Sequence, residues 1–276
     1  MTNHQYKLLV LDIDGTLLDK NGTISAEDKE ALAKAANAGI RVSLSTGRVV
    51  QSSLKIIKQL SLDGCHIFFD GALVYDLEKN EEVYIKPISR EIVRQMVDFV
   101  HLSDINIELY SATRFFVEQE SWRSDIRRQF FNLKPTVVDF DKVWPGESII
   151  KGTLLTRSDE DKAKAKSFRQ HFKNSLTFSL TKTPAYPEVD FINVIDLGVS
   201  KGNALAALAS HLGIPLSEVM AIGDGGNDAS LLSRAGLAVA MGNATDELKR
   251  LADYVTLTID NHGVTAAVNK FLLSSL

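Results

Sequence analysis

The feature that most constrains this chain is the way its first apolar run ends. Leu8 to Ile13 is apolar except for Asp12, and Asp14, Gly15 and Thr16 follow at once. A continuous apolar run of this length suits a strand covered on both faces, as in a parallel sheet. Strand periodicity would send Asp12 and Asp14 to one side and Ile13 to the other. Two carboxylates that close repel each other and need a cation or a shared proton. Such an ending is either a solvated polar edge or a site.

The pattern recurs along the chain. SAEDKEALAKAANAG reads as a helix, with Ser25 as N-cap, acids in its first turn and Gly39 just past its end. IRVSLS is a second strand candidate, GRVVQSSLKIIKQL a helix and HIFFDG, from His66, a third strand. This alternation argues for an α/β fold, a doubly wound, mostly parallel Rossmann-like sheet. The rhythm changes after about Tyr84. REIVRQMVDFVHL reads as a helix, whereas INIELYS, RFFVEQ, GTLLTRS and SLTFSLT read as short strands. Pro87 marks one edge of this stretch, and Pro184 and Pro187 lie near the other. The βα alternation then resumes through GNALAALASHLG, EVMAIG, NDASLLSRAG, LAVAMG, ATDELKRLA, YVTLT and a closing helix from Val264. The organisation expected is a core of residues 1–84 and 191–276 with an α+β domain, 85–190, inserted into it.

Ligands of open parallel sheets bind beyond the carboxyl ends of the strands. Four polar clusters are read there: Asp12–Thr16, Ser45–Arg48, Ser200–Gly202 and Gly223–Asp228. A hard dication such as Mg²⁺, bound by a few oxygens and a phosphate, would relieve the repulsion of Asp12 and Asp14. Gly15 allows a sharp bend and close approach to a ligand. Asp224 brings a further acid to a strand end, and Asn227 and Asp228 sit near the start of a helix. Thr46 and Gly47 offer a hydroxyl and backbone N–H groups ahead of a helix, which makes a phosphate-sized anion site. Lys201 is a compact cation suited to neutralising phosphate. Singly, each of the last three clusters reads as well as a turn, a helix cap or a surface lysine. The order of the four together carries the argument.

That order, DxDGT, TGR, SKG and GDxxND, resembles the haloacid dehalogenase-like phosphatase superfamily. The position of the insertion resembles the Cof-type members, which carry a large α/β cap (type IIB). The resemblance implies a phosphoric monoester hydrolase that uses Mg²⁺. It implies Asp12 as nucleophile and Asp14 as general acid, then base. Asp12, Asp224 and the backbone carbonyl of Asp14 would hold the metal. The backbones of Ile13, Gly15 and Gly47, together with Thr46, Lys201 and Asn227, would hold the phosphate, with Asp228 and Arg48 in support. Asp228 would orient Lys201 or a metal-bound water. One departure is Asp70 in FFDGA, where relatives often carry Asn.

Composition excludes several other classes. The net charge of -4 argues against a general nucleic-acid binder. No stretch approaches the roughly 18 apolar residues of a membrane helix, and a single cysteine, Cys65, rules out an intramolecular disulfide. A cytoplasmic protein is expected, a monomer or weak homodimer whose partner is a small phosphorylated metabolite, with no nucleic acid and no membrane. In the insertion, Arg114, Trp122, Arg123, Arg127 and Arg128 are candidate substrate contacts, with a solvated helix face as the alternative for SWRSDIRRQFF. A phosphomutase, and a metabolite-binding protein without activity, stay open beside the hydrolase.

Overall fold

Strand β1 (Leu8–Asp12) is buried along its whole length, with Leu8 to Leu11 fully inaccessible. Burial of each such side chain stabilises the fold by about 1.5–3 kcal/mol, so a charged residue at Val10 would break the strand. The structure is a computed structural model and describes residues 5–131, 133–183 and 185–274. Pro184, read as a boundary marker, lies outside them. Strands β2 (Arg41–Ser45), β3 (Cys65–Phe68), β4 (Leu73–Asp76) and β5 (Glu81–Ile85) follow β1. Next come β6 (Glu108–Tyr110), β7 (Phe115–Val117), β8 (Thr136–Val137), β9 (Lys151–Thr156), β10 (Leu176–Thr183) and β11 (Tyr186–Asp196). The last are β12 (Val219–Gly223), β13 (Leu237–Ala240) and β14 (Tyr254–Val255).

The chain divides into two units. One holds the residues before Val49, Ser53–Tyr84 and everything from Ser200; the other holds Val49–Ser52 and Ile85–Val199. The sequence reading closes the insertion at residue 190. The structure moves that boundary to about 199, because β11 runs through the point and pairs with β10 and β9 on its two sides.

The first unit carries an eight-stranded sheet of order β14-β13-β12-β1-β2-β3-β4-β5. Its strands are parallel from β14 to β3, and β4 pairs antiparallel with β3. The β4 and β5 strands escape the sequence reading, because the turn residues after β3 break the expected βα rhythm. The chain winds outward from β1 to β2 and, much later, from β12 to β13. The order therefore reverses between β1 and β12, the switch point where open α/β sheets bind ligands. Register brings the strand ends level: Asp12 pairs with Ser45, Leu11 with Ile222 and Gly223 with Ala240. The helix Ala26–Asn37 starts as expected, with Ser25 accepting from the Asp28 N–H at 3.0 Å.

The second unit carries a six-stranded sheet of order β10-β11-β9-β6-β7-β8, antiparallel except for β7 and β8. Its core gathers Met96, Val97 and Val100 from the helix Arg90–Leu102, Phe168 and Phe172 from Asp159–Phe172, and Leu109, Leu154 and Val194 from the strands. A smaller cluster of Ile126, Leu155, Val189 and Phe191 packs with Trp122 and Tyr186. No helix among the described residues is long and apolar enough to cross a membrane.

Candidate active site

Adjacent strands lie about 4.8 Å apart, and β1 sits between β12 and β2. Asp12 ends β1, Thr46 follows β2 and Asp224 follows β12. Thus three of the four sequence clusters meet because of strand order. The fourth arrives differently from its reading. Ser200–Gly202 does not end a strand of this sheet; Lys201 is the first residue of the helix Lys201–Leu212, with Ser200 as N-cap. A cation is disfavoured at a helix N-terminus, and here two carboxylates hold it. Lys201 Nζ donates to Asp12 Oδ1 at 2.5 Å and to Asp228 Oδ1 at 2.6 Å.

All three groups are buried, with Asp12 at 6%, Lys201 at 1% and Asp228 at 0% exposure. Burial alone would drive the proton off Lys201. The charges of Asp12, Asp228 and Asp70 outweigh it and hold the ammonium well above its ordinary range. Asp12 is pushed up to about 8, chiefly by burial, with Asp228 and Asp224 adding and Lys201 opposing. Asp224 rises to about 6, again chiefly by burial and with the same sign from Asp228, while a hydrogen bond from Thr16 opposes. Burial comes first, and an excess of acid adds to it: Asp12, Asp224 and Asp228 gather about one ammonium.

A cation could relieve that excess. Asp12, Asp224 and Asp228 each offer an oxygen within 4.8 Å of the others. Asp228 is the most committed of the three: Oδ2 accepts from the Asp224 and Gly225 N–H groups at 3.0 and 2.9 Å, and Oδ1 accepts from Lys201. Of the partners expected for Asp228, the structure records Lys201. Asp12 and Asp224 are therefore the side chains fitted to a hard divalent ion.

Asp14 behaves differently from its reading. The strand stops at Asp12, so the period-two rule does not reach Asp14, whose side chain is 55% exposed. It accepts from Arg48 Nε at 2.8 Å and Arg48 Nη2 at 2.5 Å. Among the side chains, Asp12 pairs with Lys201 and Asp14 with Arg48. A carboxyl that is to donate a proton to a leaving group must first release that fork.

The remaining positions line up around these. Ile13 is fully buried, and its carbonyl accepts from the Leu17 and Leu18 N–H groups. Gly15 adopts φ +88°, and a Cβ there would lie 2.3 Å from Asp224 Oδ2, so only glycine lets the two loops meet. Thr46 Oγ1 accepts from the Arg48 N–H at 3.1 Å, which leaves its own hydrogen to donate. Asn227 Nδ2 donates to Asp70 Oδ1 at 3.0 Å, beside Gly47.

Residues 9–268 match the family described as haloacid dehalogenase-like hydrolase. The chain belongs to the haloacid dehalogenase-like hydrolases. A putative phosphatase of Streptococcus pyogenes is 32% identical over 278 residues, 97% of this chain and 99% of that protein. A 5-amino-6-(5-phospho-D-ribitylamino)uracil phosphatase of Bacillus subtilis is 29% identical over 97% of this chain and 96% of its own length. A solved structure described as the subclass IIB sugar phosphatase BT4131 aligns with a TM-score of 0.72 at 27% identity, over 96% of this chain and 98% of that one. This hydrolase is a phosphatase of the Cof type.

Two residues of this phosphatase site escape the sequence reading. Thr16 is fully buried and donates to Asp224 Oδ1 at 2.9 Å, fixing that carboxylate from the first loop. Asn243 donates to the Gly15 carbonyl at 2.8 Å and accepts from the Ile259 N–H at 2.9 Å. Thr16 stands inside the DIDGT motif, so its place was visible although its partner was not. Nothing in the local sequence marks Asn243.

The four candidate arginines of the insertion are each paired with a carboxylate. Arg127 is 8% exposed, and its Nε and Nη2 donate to Glu108 Oε2 at 2.9 and 2.7 Å. Arg123 donates to Asp161 Oδ1 at 2.6 Å and lies over the Trp122 ring. Arg114 pairs with Glu147, and Arg128 with Glu120 and Asp125. The helix Trp122–Phe131 buries Ser124, Ile126 and Arg127 and exposes Asp125 and Gln129, so the solvated-face alternative holds for one side of it.

Proposed function

We propose that this phosphatase is Mg²⁺-dependent and hydrolyses small phosphorylated metabolites, sugar phosphates foremost, through an aspartyl-phosphate on Asp12. The observation that carries the reading is the acid excess at Asp12, where buried carboxylates outnumber the one ammonium among them. Asp12 and Asp224 would hold the ion, together with the Asp14 carbonyl. When bound, it supplies positive charge against the oxygens of the phosphoryl group.

The other roles belong to the chain itself. Lys201 fixes one oxygen of Asp12, so the other is positioned to attack phosphorus. The P–O bond to the alcohol breaks, and Asp14 gives the leaving oxygen its proton once Arg48 has let go. Asp14 then takes a proton from water, which attacks the same phosphorus and returns Asp12 as a carboxylate with inorganic phosphate released. A carboxylate nucleophile splits one very slow hydrolysis into two easier steps. Lys201, the Thr46 hydroxyl, the Gly47 N–H and the Asn227 amide would hold the transferred oxygens, where charge grows in the transition state. The names of two relatives, a phospho-ribitylamino compound's phosphatase and a sugar phosphatase, support a small polyhydroxylated substrate. The mutase alternative asks for a second, cation-rich pocket in the insertion; the four candidate arginines are matched by carboxylates, and no observation favours it.

The test is phosphate release from a panel of phosphorylated metabolites. Activity should vanish after chelation and return with Mg²⁺. Full activity in metal-free buffer would contradict the metal assignment, and inertness toward every phosphoester would contradict the reaction.

A further inference from the structure

Asp70 is a carboxylate set among groups assigned to phosphate. It accepts from Asn227 Nδ2 at 3.0 Å. A Cβ on Gly47 would lie 2.8 Å from Asp70 Oδ1 and 2.9 Å from Oδ2. Its charge is among those that favour the protonated form of Lys201. The backbone fixes it there. The Asp70 N–H donates to the Thr46 carbonyl at 3.0 Å and the Phe69 N–H to the Arg48 carbonyl at 3.1 Å, zipping this turn onto the loop after β2. Phe69 and Asp70 both adopt positive φ, 53° and 56°. An Asp tolerates that conformation, but so does Asn, so the backbone does not explain the negative charge.

We propose that Asp70 sets the phosphate affinity of the site by competing, as a resident anion, with the phosphate for the Asn227 amide and the surrounding positive charge. This rests on the phosphatase reading above. A phosphoryl group entering the pocket displaces a carboxylate from its donor, so the ground-state and product complexes are weakened and inorganic phosphate leaves readily. Asp70 is a specificity and positioning residue in this account, not a catalytic one.

The experiment compares the full-length chain with its Asp70→Asn variant in Mg²⁺. Asn keeps the shape, an oxygen acceptor for Asn227 and the tolerance of positive φ, while the charge is gone. Calorimetric titration with inorganic phosphate and steady-state hydrolysis of a phosphomonoester are read side by side. Removing a like charge a few ångströms from a bound anion in a partly screened site changes affinity by about 10- to 100-fold. The expected result is at least about a tenfold fall in the phosphate Kd and inhibition constant, with KM falling in step and kcat unchanged or lower. Phosphate affinity unchanged within about twofold, or weakened, overturns the proposal. In an Asn227→Ala background the gain from Asp70→Asn should shrink to less than about threefold; a full gain there overturns the route through Asn227. If Asp70→Asn fails to fold, Asp70→Gly, which carries no strain at this φ, is judged by the same criteria. A wild-type chain inert toward every phosphoester would sink the phosphatase reading instead, and the titration would still judge Asp70.

Discussion

Each unit of this phosphatase buries an ion cluster, and the two are built to opposite ends. In the first, Lys201 sits between Asp12 and Asp228 with Asp224 nearby, so negative charge is in excess and adds to burial in raising the pKa of Asp12 and Asp224. In the second, one guanidinium meets one carboxylate. Glu108 Oε2 accepts from Arg127 Nε and Nη2 and from the Tyr110 hydroxyl at 2.7 Å. Tyr110 and Phe191 cover the guanidinium at 5.8 and 5.2 Å. In the second cluster the acid is matched by the guanidinium that it binds. The first holds more carboxylates than ammonium, and Asp12, Asp224 and Asp228 could hold a cation between them. An unbalanced buried charge marks a place where something binds; a balanced one marks a place where the fold is held.

That contrast can be broken at either end. The largest effect is expected from Asp12→Asn, which should lower kcat by at least about 10³-fold while the urea-unfolding midpoint holds or rises, since a buried acid is neutralised. A variant with near-normal turnover would remove the nucleophile from Asp12. Arg127→Met leaves Glu108 buried without its cation and should cost about 3–5 kcal/mol of stability. The folded fraction should keep its kcat; a selective loss of turnover at unchanged stability would show that the second cluster is functional after all.

The next effect sharpens the comparison with a structural group inside the catalytic unit. His66 is fully buried, and its Nδ1 accepts from the Leu44 N–H at 3.1 Å. Burial lowers its pKa from 6.5 to about 4. The folded state therefore favours the neutral ring. Its contribution is complete above pH 6.5 and is lost as pH falls from there toward 4, by about 3 kcal/mol in all. Urea melts across that window should show a shallower fall in His66→Asn, and equal slopes would exclude His66 as the titrating group. The smallest effect is expected from Thr16→Val, which frees Asp224 from its hydrogen bond. The Mg²⁺ concentration needed for half-maximal activity should rise about tenfold with little change in kcat at saturating metal. An unchanged metal requirement would make Thr16 a packing residue only.

Much of this molecule was legible from the chain. The apolar run of β1 and its acidic end, Ser25 as a cap, and the alternation of strand and helix all follow from local spacing, because backbone geometry repeats over a few residues. The clusters at Asp12, Thr46, Lys201 and Asp224 were legible for the same reason, as breaks in that pattern. Partners were not. The sequence offered Arg127 as a surface cation, because Glu108 lies 19 residues away and its strand is three residues long. Likewise, it did not show that Lys201 would pair with the Asp12 side chain and Arg48 with that of Asp14. The β4 and β5 hairpin and the true end of the insertion at β11 were missed because pairing, not propensity, decides them.

By itself, then, the sequence determined the alternating α/β architecture, the presence of an insertion and the inventory of acids, hydroxyls and the lysine, since these depend on neighbours along the chain. Only the tertiary structure decided that β12 lies beside β1, that Lys201 enters from a helix rather than a strand, and which buried charges are balanced. Those outcomes depend on strand order and on contacts such as Lys201 with Asp12 and Thr16 with Asp224, 189 and 208 positions apart, and no local rule carries information over that distance.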